Sequence, residues 1–129
     1  MEKEPMTVPQ LLSVHDLRTA LVASKGLVVV QFTAAWCGPC KMAKPQLDAF
    51  YASLDSRFVD IHVVDIDVSI QLFAFLKRHK IVKGIPTVLL YRRDVDEDYV
   101  PCDAVVSADP KELHAFFVRT HATLRNFLA

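Results

Sequence analysis

The sequence predicts an α/β fold in which a central mixed five-stranded sheet is flanked by four helices. Apolar segments with strand-like and helix-like spacing alternate along the 129 residues in the order β-α-β-α-β-α-β-β-α, without a repeat, a linker or a low-complexity tract. The segment 27–33 is almost continuously apolar, as expected of a strand covered by helices on both faces. We therefore predict a single domain over residues 1–129, with a flexible N-terminus over residues 1–7.

The first two elements are a short strand over residues 8–12 and a helix after it. Pro9 favours an edge position for that strand, because proline has no amide hydrogen to donate. Ser13 and Asp16 have the spacing of a capping box, which starts a helix. Gly26 suits the exit of this helix, where a left-handed backbone is common.

The central strand 27–33 leads into Cys37-Gly38-Pro39-Cys40, and apolar residues after it recur at helical spacing. Cys37 should therefore lie at or near the first turn of the second helix. The free amides and partial positive charge of a helix N-terminus favour a thiolate over a thiol. A thiolate attacks disulfides, and a spacing of two residues brings the second thiol within reach of the first sulfur. A lone Cys-x-x-Cys indicates either redox chemistry or metal binding.

The next elements are predicted as a strand, a helix and two strands, over residues 62–67, 70–79, 88–91 and 99–106. The charged run 92–98 between the last two strands indicates a solvated hairpin. Pro101 confines the fifth strand to a sheet edge. Asp109 and Pro110 mark the start of the last helix, whose apolar spacing extends into residues 121–129.

Charge and cysteine content exclude several classes of protein. The 15 Lys and Arg residues balance the 15 Asp and Glu residues, so nothing favours nucleic acid or an anionic membrane as a partner. No apolar run approaches the roughly 20 residues of a membrane span, and the charged start is followed by no apolar signal region. We expect a cytoplasmic protein. The 3 cysteines are too few for a disulfide framework.

Metal-ligand spacing is absent from the sequence. The 5 histidines fall on several elements, and Cys102 stands far from the Cys-x-x-Cys pair. Tetrahedral zinc takes four ligands from such groups. The sequence also has no glycine-rich phosphate loop, so we expect neither a metal nor another cofactor.

Two separated motifs carry a family resemblance. They are Trp36-Cys37-Gly38-Pro39-Cys40-Lys41, with Pro45 five residues after Cys40, and Gly84-Ile85-Pro86-Thr87. In these motifs, and in its order of elements, the chain resembles the thioredoxin family from about residue 8 to residue 128. The resemblance implies the thioredoxin fold.

The resemblance also implies a protein disulfide reductase that acts through Cys37 and Cys40. In thioredoxins the first cysteine, here Cys37, is the nucleophile exposed at the helix tip, and it forms a mixed disulfide with the substrate. Cys40 would then resolve this bond, leaving the Cys37–Cys40 disulfide as the redox-active centre, with no other cofactor. Lys41, which ends the motif, would modulate the two thiols.

A shallow substrate groove is implied as well. The family's cis-proline would be Pro86, which holds the backbone of Ile85 beside Cys37 for pairing with an extended substrate segment. The groove would be lined by Trp36, Gly38, Pro39, Ile85, Pro86 and Thr87.

Gln31 departs from the family pattern. Thioredoxins usually carry a buried aspartate six residues before the first cysteine, where it helps to remove the proton of the resolving thiol, and an amide cannot act as a base. Counting back from Asp67 puts Val63 where the lysine partner of that aspartate would lie. Both members of a buried ion pair would then be neutral, which avoids an unpaired buried charge. Either Cys40 loses its proton to water or to Cys37 and resolves slowly, or Gln31 is a core residue without a part in the chemistry.

The segment between Pro86 and the last helix is a few residues longer than in the family, which leaves its register open. One placement puts Cys102 in the groove beside Cys37 as an accessory thiol. The other puts Val106 there and makes Cys102 an ordinary strand residue.

Three functions are compatible with these features. The first is a disulfide reductase for electron transport and redox homeostasis, which reduces protein disulfides and is recharged by a thioredoxin reductase or another dithiol donor. The second is a thioredoxin-like adaptor with secondary redox activity, an alternative that the long last helix and Gln31 leave open. Residues 121–129 either fold back on their own sheet or form a partner or dimer surface. The third is an oxidase or isomerase, against which the missing secretory signal and the Gly-Pro dipeptide argue. The two intact cysteines favour the reductase, as a monomer or weak dimer.

Overall fold

The computed structural model describes residues 10–94 and 98–129, in which four helices and four strands form. In chain order the elements are α1 (Val14–Ala23), β1 (Leu27–Thr33), α2 (Gly38–Ser53), β2 (Val59–Asp65), α3 (Ile70–Arg78), β3 (Thr87–Arg92), β4 (Asp103–Val105) and α4 (Pro110–Leu128). The four predicted helices are confirmed. The predictions for residues 1–7, for residues 8 and 9 of the first strand and for residues 95–97 of the hairpin lie outside the described residues.

The strands form one mixed sheet in the order β2-β1-β3-β4. β1 runs parallel to β2 and antiparallel to β3, and β3 runs antiparallel to β4. The prediction of five strands is wrong for the described residues, because residues 10–12 form no strand. The amide of Leu12 donates instead to the Asp16 carboxylate at 2.9 Å, while the Ser13 hydroxyl accepts from the Asp16 amide at 3.2 Å. This segment therefore serves as the cap of α1.

Two strands differ from their predicted limits by more than one residue, and β3 is longer than predicted by one residue at each end. β2 begins at residue 59 rather than 62 and ends at Asp65, whose carbonyl accepts from the amides of Val68 and Ser69 in a turn. β4 is limited to residues 103–105. Pro101 has no amide hydrogen to donate, and the carbonyl of Tyr99 accepts a hydrogen bond from a tyrosine hydroxyl on β3 rather than from a strand amide.

Helices cover both faces of the sheet, as the unbroken apolar pattern of β1 predicts. On one face α2 and α4 form a core with the sheet, and its buried side chains include Leu27, Leu47, Phe50, Leu113 and Phe116. On the other face α1 and α3 form a second core, which includes Leu17, Phe32, Leu72, Leu76 and Leu89. Successive residues of β1 alternate between the two cores, which places Gln31 on the face covered by α2.

Position 26 requires glycine because neighbouring atoms leave no room for a side chain, and not because the backbone is left-handed at the end of α1. That helix ends at Ser24 with an extended backbone, and no described glycine has a positive φ. A Cβ atom at position 26 would lie 2.6 Å from the carbonyl oxygen of Phe58 and 2.9 Å from the ring of Phe127. A larger residue would therefore push the start of β1 away from its neighbours.

The extended last helix packs against its own sheet. α4 continues to Leu128, and Leu124 within the extension is buried in the core that α2 and α4 share. The Phe127 ring lies close to Gly26 and 5.8 Å from the guanidinium carbon of Arg92. These apolar side chains are used within the chain, which favours a helix folded back on its own sheet over a partner surface.

Candidate active site

Cys37 caps the N-terminus of α2. Pro39 lies in the first turn of that helix, where an amide hydrogen is not needed. The backbone of Cys37 is extended, with φ −86° and ψ 108°, and its Sγ accepts a hydrogen bond from the Cys40 amide at 3.1 Å. The two cysteines form a disulfide whose Cα atoms lie 5.3 Å apart. The fold therefore directs a helix N-terminus at the Cys37 sulfur, a position that favours a thiolate over a thiol.

The Cys37 side chain is buried, which corrects the expectation of an exposed sulfur at the helix tip. Both cysteines are only 4% exposed. As the N-cap, Cys37 turns its sulfur back over the first turn of α2, and Ala34, Ile66 and Ile85 surround the pair. In the disulfide state the neighbouring residues, rather than Cys37 itself, form the exposed surface at this end of the sheet.

The rim of the site is formed by residues next to the disulfide in the chain. Gly38 and Pro39 are exposed, and the Trp36 side chain is 66% exposed. The Trp36 indole N–H donates to the Asp67 carboxylate at 2.8 Å, which ties the ring to the turn after β2. The sequence analysis assigned no role to Asp67. The feature that could have identified Asp67 is its position just after β2, which runs parallel to β1, because the ends of parallel strands meet at one edge of the sheet.

The turn before β3 supplies the opposite side of the groove. The Ile85–Pro86 peptide bond is cis, the isomer that the resemblance implies. Ile85 packs against the buried cysteine pair, and Thr87 pairs across the sheet with Phe32 near the end of β1. The Thr87 hydroxyl donates to the Gly84 carbonyl, which closes the turn. The two motifs therefore meet at one end of the sheet, with Ile85 in contact with the disulfide.

The register of β4 decides between the two placements of Cys102. Val105 pairs with Val88, so Val106 follows toward the end of the sheet that carries the disulfide. Cys102 lies toward the other end, where its amide donates to the carbonyl of Leu90 at 2.8 Å. Burial raises the pKa of the Cys102 thiol, which disfavours the reactive thiolate. Cys102 is therefore not an accessory thiol in the groove.

Gln31 and Val63 are neighbours, as counting along the sequence predicts. They pair directly across the parallel strands β1 and β2, with Gln31 6% exposed and Val63 58% exposed. The hydroxyl of Tyr51, on α2, donates to Gln31 Oε1 at 2.5 Å. The amide oxygen is thus satisfied by a neutral donor from the helix, and no cation at position 63 is required.

Tyr51 is a residue near the site to which the sequence analysis assigned no separate role. Burial raises the pKa of its phenol, and the Asp48 carboxylate contributes in the same direction. The phenol therefore keeps its proton and remains a donor to Gln31. Tyr51 stands three helical turns after Cys40 on the same face of α2, and this spacing is the signal that could have identified it.

A cleft of about 290 Å³ opens beside Cys40, between α2 and the parallel strands. Its lining includes Gln31, Cys40, Lys41, Lys44, Asp48 and Val63. Lys44 Nζ and Asp48 Oδ2 form an ion pair at 2.7 Å. The lining of the cleft therefore includes the buried Cys40 and charged side chains of the same helix.

Comparison with known proteins identifies the family of the chain. Residues 9–116 match the family model of thioredoxin. The chain belongs to the thioredoxin family. The Cys37–Cys40 pair lies within the matched residues.

Individual thioredoxins agree with this assignment. The chain is 34% identical over 116 residues to Thioredoxin-2 of Pyricularia oryzae, an alignment that covers 90% of this chain and 61% of the relative. It is 36% identical over 102 residues to thioredoxin of Staphylococcus aureus, covering 79% of this chain and 88% of that protein. The structure of Malassezia sympodialis thioredoxin superposes with a TM-score of 0.62 at 24% identity, covering 92% and 96% of the two chains, and supports the fold alone.

The described part of this thioredoxin-family chain contains no cluster of three or more His, Cys, Asp or Glu side chains placed to hold a metal ion. Among the helices of residues 10–94 and 98–129, none combines the length and the apolar character needed to cross a bilayer. The chemistry that the described site residues offer is exchange between thiols and disulfides.

Replacing Tyr51 tests the hydrogen bond that holds Gln31. The Tyr51→Phe variant leaves the buried Gln31 oxygen without this donor, so we expect the free energy of unfolding to fall by about 1 to 3 kcal/mol. Urea unfolding at pH 7 measures this difference. The double variant Tyr51→Phe with Gln31→Leu removes both partners and should regain part of the loss. Equal stability of Tyr51→Phe and wild type would contradict the assigned hydrogen bond.

Tyr51 also predicts how stability depends on alkaline pH. Its folded-state pKa is raised by burial, so the folded chain retains the phenolic proton at pH values where the unfolded chain releases it. The unfolded state then binds fewer protons, and stability falls as pH rises above about 10. The loss should be smaller in Tyr51→Phe than in wild type. Parallel alkaline unfolding curves for the two proteins would contradict this prediction.

Proposed function

We propose that the chain is a protein disulfide reductase, in which Cys37 is the nucleophile and Cys40 the resolving thiol. The observation that carries this proposal is the position of Cys37 as N-cap of α2, bonded to Cys40 and in contact with Ile85 of the cis-proline turn. A helix N-terminus stabilises the attacking thiolate, and the adjacent backbone can hold an extended substrate.

The reaction proceeds by two exchanges of disulfide bonds. The Cys37 thiolate attacks one sulfur of the substrate disulfide, a mixed disulfide forms, and the other substrate sulfur leaves as a thiolate that takes up a proton. Cys40 loses its proton and attacks Cys37 Sγ, which forms the Cys37–Cys40 bond and releases the second substrate sulfur as a thiolate that is also protonated. The substrate gains two electrons and two protons, and the chain becomes its disulfide form.

The proposed partners follow from this chemistry. The substrates are proteins with accessible disulfides, which dock on the rim formed by Trp36, Gly38, Pro39, Val106 and the Ile85 turn. A thioredoxin reductase or another dithiol donor restores the two thiols, and no metal or other cofactor takes part. We place the chain in the cytoplasm, as a monomer or weak dimer that contributes to electron transport and redox homeostasis. The free thiol of Cys102 agrees with a reducing compartment.

Insulin reduction by dithiothreitol tests the proposed function. Wild type should accelerate precipitation of the insulin B chain well above the rate with dithiothreitol alone. An adaptor that uses the fold only to bind a partner would give no acceleration, and this outcome would overturn the proposal. Removal of residues 121–129 is unsuitable as a probe, because Leu124 belongs to the core.

Gln31→Asp should accelerate the resolving step and lower stability. A carboxylate at this position can take the proton of Cys40, and we expect the single-turnover rate at pH 7 to rise by roughly 10-fold or more. The same change buries a negative charge. Its strand neighbour is Val63, which cannot neutralise that charge as a lysine would, so the free energy of unfolding should fall. Stopped-flow reduction of a protein disulfide and urea unfolding measure the two effects.

A second substitution provides the matched control for this prediction. Val63 is directly opposite Gln31 and 58% exposed, so a lysine there can reach solvent and the new carboxylate. The double variant Gln31→Asp with Val63→Lys should recover part of the lost stability. If Gln31→Asp leaves the exchange rate unchanged at neutral pH, Gln31 is a core residue without a part in the chemistry.

A further inference from the structure

Three residues of α2 place the proposed resolving cysteine near one positive and one negative side chain. Cys40, Lys44 and Asp48 are four residues apart, so they follow one line along the helix surface at intervals of about one turn. All three line the cleft beside the parallel strands. Cys40 is buried, whereas the side chains of Lys44 and Asp48 are 69% and 58% exposed. The cleft therefore brings a buried thiol and a solvated ion pair to one surface.

This surface holds no charge from the strands. The described residues that β1 and β2 contribute to the cleft are uncharged, among them Gln31 and Val63. Behind Gln31, Tyr51 donates its hydroxyl hydrogen and stays neutral. Besides Cys40, the titratable groups that line the cleft are Lys41, Lys44 and Asp48, all from α2.

We propose that Lys44, together with Lys41, stabilises the Cys40 thiolate from the same side of the cleft, and that Asp48 weakens this effect by pairing with Lys44. The inference rests on the proposed function, because it concerns the thiol that resolves the mixed disulfide. A nearby cation lowers the free energy of an anion, and the effect is modest where water and salt screen the charges. Lys44 is therefore not the base. It sets the fraction of Cys40 that is ionised, and its ion pair with Asp48 at 2.7 Å limits that fraction.

The proposed effect acts on one step of the reaction. Cys40 releases its proton to water in the cleft, and the resulting thiolate attacks Cys37 Sγ of the mixed disulfide. The Cys37–Cys40 bond forms, the bond from Cys37 to the substrate sulfur breaks, and that sulfur leaves with the electron pair and takes a proton from water. Lys44 changes the population of the attacking thiolate and leaves the first attack by Cys37 unaffected.

Ionisation of Cys40 can be measured without any turnover. In the Cys37→Ser background the ¹³Cβ chemical shift of Cys40 follows its titration alone, since coupling to the second active-site thiol is removed. Asp48→Asn should lower the titration midpoint by about 0.3 to 0.5 pH units, and Lys44→Met should raise it by a similar amount. Lys111→Met on α4, which does not line the cleft, is the matched control and should leave the midpoint unchanged. In 1 M NaCl the differences should shrink.

The same substitutions with Cys37 present test the consequence for exchange. Resolution of a preformed mixed disulfide at pH 7 should be roughly two- to threefold faster in Asp48→Asn and slower by a similar factor in Lys44→Met, as the midpoint shifts require. Midpoints that move in the same direction in both variants, or no further than in Lys111→Met, would overturn the inference. Failure of wild type to reduce insulin would instead overturn the proposed function, because the titration needs no substrate.

Discussion

The Cys37→Ser variant is expected to reduce insulin no faster than dithiothreitol alone. A serine hydroxyl oxygen can cap α2 in place of Cys37 Sγ and so preserve the helix, but the hydroxyl stays protonated at neutral pH and forms no mixed disulfide. The fold should therefore persist while turnover is lost completely. Insulin precipitation measures the activity, and circular dichroism with urea unfolding verifies the fold.

Two further variants separate the roles of the three cysteines. Cys40→Ser should retain the first attack and accumulate a mixed disulfide with the substrate, because the resolving thiol is missing. Cys102→Ser should behave as wild type, since Cys102 lies away from the disulfide end of the sheet. Retained turnover in Cys37→Ser, or a mixed disulfide that maps to Cys102, would contradict the assigned roles.

The Phe116→Ala variant is expected to show the largest loss of stability among the substitutions considered. Phe116 is 0% exposed, and its ring lies 6.2 Å from Phe50 and 6.4 Å from Phe117, measured between centroids. Removing it leaves a cavity between α2, α4 and the sheet, which should lower the free energy of unfolding by about 3 to 5 kcal/mol. Urea unfolding at pH 7 and 25 °C measures the change.

Val118 offers the matched control on the same helix. It is 52% exposed, so Val118→Ala should change the free energy of unfolding by no more than about 0.5 kcal/mol. Phe116 belongs to the same core as α2, the helix that carries the two cysteines. In Phe116→Ala the active site should therefore unfold in the same transition as the rest of the chain. A loss near that of Val118→Ala would mean that α4 is not part of the core.

Local sequence signals predicted the parts of the fold that depend on few neighbours. The strand 27–33, the position of Cys37 at the start of α2 and the Asp109–Pro110 helix start each follow from a short pattern, and all are present in the structure. For residues 10–12 the local pattern gave a wrong prediction, because these residues form no strand. Their apolar spacing suits a strand, but the Leu12 amide is taken by the cap of α1, and that competition depends on the Asp16 side chain.

The features that the sequence left open or missed concern contacts between elements distant in sequence. The position of Cys102 depended on the register of β4, which no local pattern determines when the loop length is unusual. The burial of Cys37 depends on Ile66, which follows β2, and on Ile85, which lies in the turn before β3. The donor to Gln31 comes from Tyr51 on α2, whereas counting residues could only identify its strand neighbour, Val63.

A single turnover between the reduced chain and one equivalent of an oxidised protein tests the central claim most directly. We expect one insulin disulfide to be reduced to two thiols, while Cys37 and Cys40 lose two hydrogens and become one disulfide. Alkylation with mass mapping should find Cys102 as a free thiol. Insulin that stays intact while Cys37 and Cys40 remain thiols would contradict the central claim.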